Sequence, residues 1–443
     1  MNNYDVIVIG GSAAGIPAAI TARRHYPDKS IMLIRKEGKV PIPCGIPYIF
    51  GTVGSTDKNL IPDAVFSNND IELLIDEVQS IERKAKSVVT AGGERISYDK
   101  LVLSTGAEPL QLPIKGIDKE NVFYAKKDVS YLDDLLHKLD NVRNVVVIGG
   151  GFIGVEFADE LNKRGPNVTI IEMLPRCLML AFDEDLCIEA EEKLKSRGIN
   201  IVTNNRVEEI LGNEIVTGVR LADGKELMAD IVFVGVGVIP NIALAEKADL
   251  EVNHGGIVVD SNMKTTDDNI FACGDCVDKK SFFTGKQSGL RLASIATTEA
   301  RIVGANLFEQ RRKSQGVTGV FSTAIGDLVL ATAGLTNKQA QDNGFNVTYG
   351  EAEAPDRHPG GMPGMSKMKV SLIFNKGTGE LIGGQVRGGT CAGELINTIS
   401  ACINNRMTAD DIAMFQIGTH PAVTASPIAY QLVNAAEMAL TKQ

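Results

Sequence analysis

The sequence predicts an α/β chain made of two similar doubly wound units followed by a mixed α+β region. Three observations carry this expectation. A buried-strand run, a glycine turn and an alanine-rich helix succeed one another at residues 4–24. The same succession recurs at residues 144–161, and from about Ser322 the pattern changes to alternating strands separated by glycine turns. With 443 residues, 44% of them hydrophobic and 23% charged, the chain can bury several cores. Its length corresponds to roughly two to four domains.

The first unit opens with Tyr4-Asp-Val-Ile-Val-Ile, a strand apolar on both faces. Gly10-Gly-Ser12-Ala13-Ala14-Gly15 follows, and a helix is expected over residues 18–24. Such a turn lets backbone N–H groups approach a pyrophosphate at a helix N-terminus, where the dipole favours negative charge. Ser12 stands where the middle glycine usually falls, and a tight turn in any α/β protein also produces a lone motif of this kind. A second strand, residues 30–34, ends at Arg35-Lys36-Glu37. The acid expected to meet a ribose thus comes one turn late, at Glu37, while Arg35 and Lys36 read equally well as solvated loop charges.

The second unit carries a complete fingerprint, Asn144-Val-Val-Val-Ile-Gly149-Gly-Gly151-Phe152-Ile153-Gly154, which opens a helix through Glu156 and Leu161. The strand at residues 167–171 ends at Glu172, whose carboxylate is placed to accept hydrogen bonds from both ribose hydroxyls and to repel a 2′-phosphate. NADH is favoured over NADPH on that ground, although Arg176, just beyond, could accommodate a phosphate in part. Two such sites imply two dinucleotides, one held as the redox cofactor and one delivering hydride. FAD with NADH is the natural pair.

Along nearly its whole length the chain resembles the two-dinucleotide-binding-domain flavoproteins, the pyridine nucleotide-disulfide oxidoreductases. The first fingerprint and three further stretches carry the resemblance. Tyr98-Asp-Lys-Leu-Val-Leu-Ser-Thr105-Gly106-Ala-Glu-Pro is similar to the passage from the FAD domain towards the NAD domain, and residues 229–241, through Gly237, resemble the return. Thr265-Thr-Asp-Asp-Asn-Ile-Phe-Ala-Cys-Gly274-Asp275 looks like the second FAD motif, whose Asp binds the flavin ribitol chain. The resemblance implies two Rossmann-like dinucleotide-binding domains, for FAD (1–112 and 245–320) and NAD(P)H (113–244), plus an α+β C-terminal dimerisation domain (321–443) in a homodimer. It assigns FAD to Gly10, Ser12, Ala13, Ala14, Gly15, Arg35, Lys36, Glu37, Pro43, Val78, Thr105, Gly106, Gly274, Asp275, Ala296 and Thr297. It assigns NAD to Gly149, Gly151, Phe152, Ile153, Gly154, Glu172 and Gly237.

Dithiol members of the family carry C-x-x-x-x-C near the flavin. The matching stretch here, Pro41-Ile-Pro43-Cys44-Gly45-Ile-Pro47-Tyr48, has one cysteine and resembles the single-cysteine branch: coenzyme A-disulfide reductases, NADH oxidases, NADH peroxidases and persulfide or polysulfide reductases. There the cysteine cycles between thiolate and a sulfenic acid or mixed disulfide. Prolines on both sides of Cys44 suggest an extended segment turning into a helix start, where unpaired N–H groups favour thiolate. The first glycine loop, Ser12-Ala13-Ala14, lacks the histidine common in the oxidases and peroxidases, which shifts weight towards disulfide or polysulfide reduction. Val40-Pro-Ile-Pro-Cys44 also lacks the Ser-Phe-x-x-Cys of the coenzyme A-disulfide reductases, and only Arg24 matches their basic helix position, so the resemblance leaves coenzyme A, inorganic polysulfide and oxygen open as oxidants. The competing activities are reduction of oxygen, with Cys44 as a sulfenate, and reduction of a small electron-carrier protein.

The C-terminal region is expected to hold strands at residues 369–374 and 381–386 and helices at 393–404 and 426–439. Thr419-His420-Pro421 occupies a place similar to the His-Pro with which the dithiol enzymes protonate a thiolate across the dimer. The acid that supports that histidine is absent, so His420 reads equally as a hydrogen-bonded interface residue. The turn-rich stretch at residues 355–364 reads as a connecting loop, with no partner evident for His358.

Composition excludes other classes. Net charge is −10, and the densest basic run, Arg311-Arg312-Lys313, sits among Gln, Ser and Gly, so nucleic acid is not an expected partner. Seven scattered cysteines, an opening that moves directly into a strand, and no long apolar run predict a cytoplasmic chain without a disulfide framework or membrane association. Cys273-x-x-Cys276 brackets Asp275, and without a second pair of ligands it does not read as a metal site. Cys177, Cys187, Cys391 and Cys402 are taken as structural thiols.

Overall fold

The computed structural model describes residues 2–442 and divides into two compact units. One comprises Met1–Leu112, Tyr124–Asn141 and Val236–Val317; the other comprises Pro113–Phe123, Val142–Gly235 and Thr318–Gln443.

In the first unit a parallel sheet runs through Glu72–Ile75, Ile31–Arg35, Asn2–Ile9, Arg95–Leu103 and Ile270–Ala272. Val6, Ile7, Val8, Leu33, Leu101, Val102 and Leu103 are fully buried, as expected of strands covered on both faces. The antiparallel strands Ser87–Thr90 and Val78–Glu82 continue the sheet beside the first half of Arg95–Leu103. The first helix starts at Gly15, earlier than residue 18, and runs to His25. Its small residues let it cross the helix Ala293–Asn306 closely: a Cβ on Gly304 would stand 2.5 Å from the Ala18 carbonyl oxygen.

In the second unit Asn200–Val202, Asn167–Ile171, Asn144–Ile148 and Ile231–Val234 form a second parallel sheet. An antiparallel sheet follows, in the order Val320–Ile325, Leu328–Gly334, Leu381–Gly388, Lys367–Asn375 and Val347–Pro355. The helices Ala392–Asn404 and Gln431–Leu440 lie tightly against it. A Cβ on Gly384 would stand 2.8 Å from Ile399, and one on Gly350 would stand 1.9 Å from the Ala435 carbonyl oxygen. The helix expected from residue 426 begins only at Gln431, because Pro427–Ala429 makes a single tight turn and Tyr430 returns to an extended conformation. Among the described residues no helix is long and apolar enough to cross a membrane.

Phe157 and Phe233 stack at 3.8 Å between ring centroids, 1% and 0% exposed. Phe157→Ala should cost about 3–5 kcal/mol, read as a lower urea midpoint for the second unit.

Candidate functional site

The first glycine turn is dictated by space. Gly10 has φ +110°, and a Cβ there would lie 2.3 Å from the Ser104 carbonyl oxygen; one on Gly15 would lie 1.9 Å from the Gly10 carbonyl oxygen. Strand and helix therefore approach as closely as backbone allows. Three segments distant in sequence meet at this turn, since a Cβ on Gly274 (φ +85°) would stand 2.7 Å from the Ala14 methyl and 3.7 Å from that of Ala296. Ser12 Oγ and Asp275 Oδ1 are buried there without a hydrogen-bond partner. Native interiors rarely leave such atoms unpaired, and a dinucleotide's phosphates and hydroxyls suit them. The residues present therefore fit FAD.

Arg35 corrects one expectation. It is not a solvated loop charge: 2% exposed, it pairs with Asp63 at 2.7 Å and donates to the carbonyls of Glu37 and Gly38. A Cβ on Gly11 would lie 2.6 Å from its Cδ, so Arg35 packs directly beneath the glycine turn. Lys36 is exposed and Glu37 half-buried. The two predicted crossings meet, as Ala107–Pro109 pairs antiparallel with Val238–Pro240. Thr105 Oγ1 donates to the Asn241 carbonyl at 2.6 Å, Gly106 accepts from Asn241 N, and Gly237 accepts from Leu110 N. Val78 begins the outermost strand, half-buried, and Thr297 Oγ1 donates to Ser294 within its own helix.

A buried ion pair that the sequence does not reveal lies under the Gly274 turn. Lys279 Nζ lies 2.7 Å from Glu299 Oε2 and donates to the Gly274 carbonyl at 2.6 Å, while Gly274 N donates to the same Glu299 oxygen at 2.8 Å. The pair holds both the N–H and the carbonyl of Gly274. Its one signal in sequence is that Glu299 falls on the buried stripe of its helix, between Ile295 and Val303. Cys273 and Cys276 are fully buried, and burial pushes both thiols up. Among the described residues no cluster could hold a metal ion.

Cys44 lies in the tight turn Pro43–Gly45, which follows an extended Ile42 and leads into Ile46–Tyr48. Asn59 holds this turn: its side chain donates to the Ile42 carbonyl at 3.0 Å, its carbonyl accepts from Ile42 N at 2.8 Å, and a Cβ on Gly45 would collide with its Oδ1. Buried Ile46, Pro47, Ile49 and Phe50 anchor the other side. Of the seven cysteines, none bridged, Cys44 alone is exposed. Burial pushes Cys177 and Cys187 up to about 12, which makes them inert.

In the second unit the fingerprint repeats the same geometry, with a Cβ on Gly154 falling 1.9 Å from the Gly149 carbonyl oxygen and open space at Gly151. Glu172 sits beside this turn, accepting from Gly150 N at 2.6 Å and from Leu174 N at 2.7 Å. Phe152 stacks on Phe321, and Ile153 is half-buried. One turn on, Glu156 accepts from Thr323 Oγ1 at 3.1 Å, and burial raises its carboxyl to about 7.

His420 is exposed, and its Nδ1 accepts from Ala422 N at 3.2 Å. Thr424, where an acid was sought, accepts from His420 N instead. His358 does have partners, contrary to expectation. Its backbone donates to Pro421 and its Nδ1 lies 3.1 Å from the Thr424 carbonyl, so the two loops brace each other.

The pattern of the pyridine nucleotide-disulphide oxidoreductase family matches residues 4–300, and that of its dimerisation domain matches residues 320–428. The chain is 33% identical to the NADH oxidase of Methanocaldococcus jannaschii over 449 aligned positions, covering 98% of each chain. It is 31% identical to the NAD(P)H coenzyme A polysulfide/persulfide reductase of Pyrococcus horikoshii, over 86% of this chain and 87% of that one. Among solved structures it superposes on an NAD-dependent persulfide reductase from A. fulgidus with a TM-score of 0.91 and 32% identity, over 99% of this chain and 83% of the other.

Two outcomes follow from the buried charges. Lys279→Met strands the Glu299 carboxylate and should cost about 3–5 kcal/mol, most of it recovered when Glu299→Leu is added; calorimetric unfolding of the two variants checks this. Glu156 stays protonated in the fold up to about pH 7 but ionises near 4.5 when unfolded. Between those values the folded chain binds more protons, so its stability falls as pH rises. Glu156→Gln should flatten that slope in urea titrations across the window.

Proposed function

The chain belongs to the pyridine nucleotide-disulphide oxidoreductase family, and from that premise we propose that it reduces a small disulfide, persulfide or polysulfide at Cys44 with electrons from NADH. As a member it is an FAD-dependent oxidoreductase that uses a pyridine nucleotide and carries a C-terminal dimerisation domain. The observation that carries the proposal is Cys44 itself, the one exposed thiol, held in a braced turn between prolines.

Gly10, Ser12, Ala13, Ala14, Gly15, Thr105, Gly106, Gly274, Asp275, Ala296 and Thr297 would hold FAD, with Pro43 and Val78 beside it. Bound flavin supplies the link between nicotinamide and sulfur, accepting a hydride and returning two electrons. The Cys44 thiolate attacks one sulfur of the substrate: a bond from Cys44 to sulfur forms, the substrate S–S bond breaks, and the departing sulfur leaves as an anion; two-electron cleavage of the bond that Cys44 then holds would release the second sulfur and restore the thiolate. We assign protonation of the departing sulfur to the partner subunit's His420 in a symmetric dimer. In the neutral ring Nδ1 accepts the Ala422 N–H, which leaves Nε2 as the nitrogen that would take up and return the proton. For NADH, Gly149, Gly151, Phe152, Ile153 and Gly154 form the turn and Glu172 meets the ribose hydroxyls; Gly237 borders the return crossing. Seven unbridged cysteines support a cytoplasmic setting.

The likeness to a protein named as an NADH oxidase favours a second reading, direct reduction of oxygen. Steady-state assays of Cys44→Ser separate the two. The sulfur-reducing proposal expects NADH-dependent disulfide and polysulfide reduction to fall to background, whereas retention of full activity would overturn it. Oxygen consumption that exceeds sulfur reduction in the unaltered enzyme and survives Cys44→Ser would put the oxidase reading first.

A further inference from the structure

We infer that Glu191 determines the choice of nucleotide without touching it, by holding Arg176 away from a 2′-phosphate. The inference rests on the reading of residues 144–176 as the NADH site.

Beyond Glu172 the chain turns back beneath the glycine turn. Leu178 N donates to the Gly150 carbonyl at 2.8 Å, and a Cβ on Gly150 would stand 2.7 Å from Cys177 Sγ and 3.1 Å from Glu172 Cβ. Arg176 is thereby fixed next to the residues that close around the ribose, where an arginine ordinarily recruits a 2′-phosphate. Its guanidinium is already engaged. Nη1 lies 3.2 Å from Glu191 Oε2, and Nε lies 3.8 Å from Glu184 Oε1.

Glu191 is well built for this role. It sits in the helix Glu184–Ser196, is 2% exposed, and its other oxygen accepts from Cys177 N at 3.0 Å. Were Arg176 to swing to a phosphate, Glu191 would keep the Cys177 N–H and the more distant Lys195, at 3.7 Å, and a buried carboxylate would lose its closest cation. Stranding a buried charge is strongly unfavourable. A 2′-phosphate is therefore opposed twice, by the Glu172 carboxylate and by the hold of Glu191 on the cation that would balance it.

The test titrates the holoenzyme with NAD⁺ and NADP⁺, which bind without reducing it, in the unaltered protein, Glu191→Gln, Arg176→Gln and the double variant. Glutamine preserves an oxygen for Cys177 N and removes the charge that holds Arg176. The ratio of the NADP⁺ to the NAD⁺ dissociation constant should fall on the order of tenfold in Glu191→Gln, the worth of one charge-assisted hydrogen bond. It should return to the unaltered value in the double variant and stay there in Arg176→Gln. In Arg176→Gln the Glu191 carboxylate keeps Lys195 and the Cys177 N–H, and the double variant removes both charges, so these two variants read out even if Glu191→Gln does not fold. An unchanged ratio in folded Glu191→Gln, or a raised ratio in Arg176→Gln, overturns the inference. Failure of the unaltered enzyme to bind NAD⁺ at all would instead overturn the nucleotide-site reading beneath it.

Discussion

The structure depends on a steric constraint: at two places the first turn of a helix must touch the end of the strand before it. A Cβ on Gly15 or on Gly154 would fall 1.9 Å from the carbonyl oxygen of Gly10 or Gly149. No side chain fits, so glycine is obligatory, and the helix N-terminus arrives at the strand end with its N–H groups available to an anion. Once that approach is set, what packs beneath the turn differentiates the two copies. Arg35 lies under Gly11 in one, and Cys177 and Glu172 lie against Gly150 in the other.

Buried charges do the secondary positioning. Lys279 and Glu299 hold the N–H and the carbonyl of one residue, Gly274; Arg35 and Asp63 brace the strand end after the first turn; and Glu191 fastens Cys177 and Arg176 beside the second. Apolar residues of similar volume could supply stability at least as well. They could not direct a carbonyl, an N–H and a guanidinium to fixed places, and each of these pairs sits where a backbone turn must hold its shape.

Reactivity is rationed by exposure in the same way. Five of the seven thiols are buried, Cys391 is half-exposed, and Cys44 alone stands in the open on a turn braced by Asn59. The loops that carry His358 and His420 brace each other through Pro421 and Thr424, and the exposed His420 ring takes the Ala422 N–H at Nδ1 without a supporting acid.

The sequence by itself determined the two glycine turns, the strands before them, Glu172 at the end of its strand, and the singularity of Cys44. Each of these is a local backbone requirement or a count, so it is written in consecutive residues. Only the tertiary structure decided that Arg35 is buried, that His358 answers the His420 loop, that Lys279 and Glu299 meet across twenty residues, and that Glu191 holds Arg176. It also moved the start of the last helix to Gln431, past a turn that helical spacing alone does not reveal. Charged side chains declare their partners only after the chain has packed. The energy that pairs them comes from desolvation and distance, neither of which exists in a sequence.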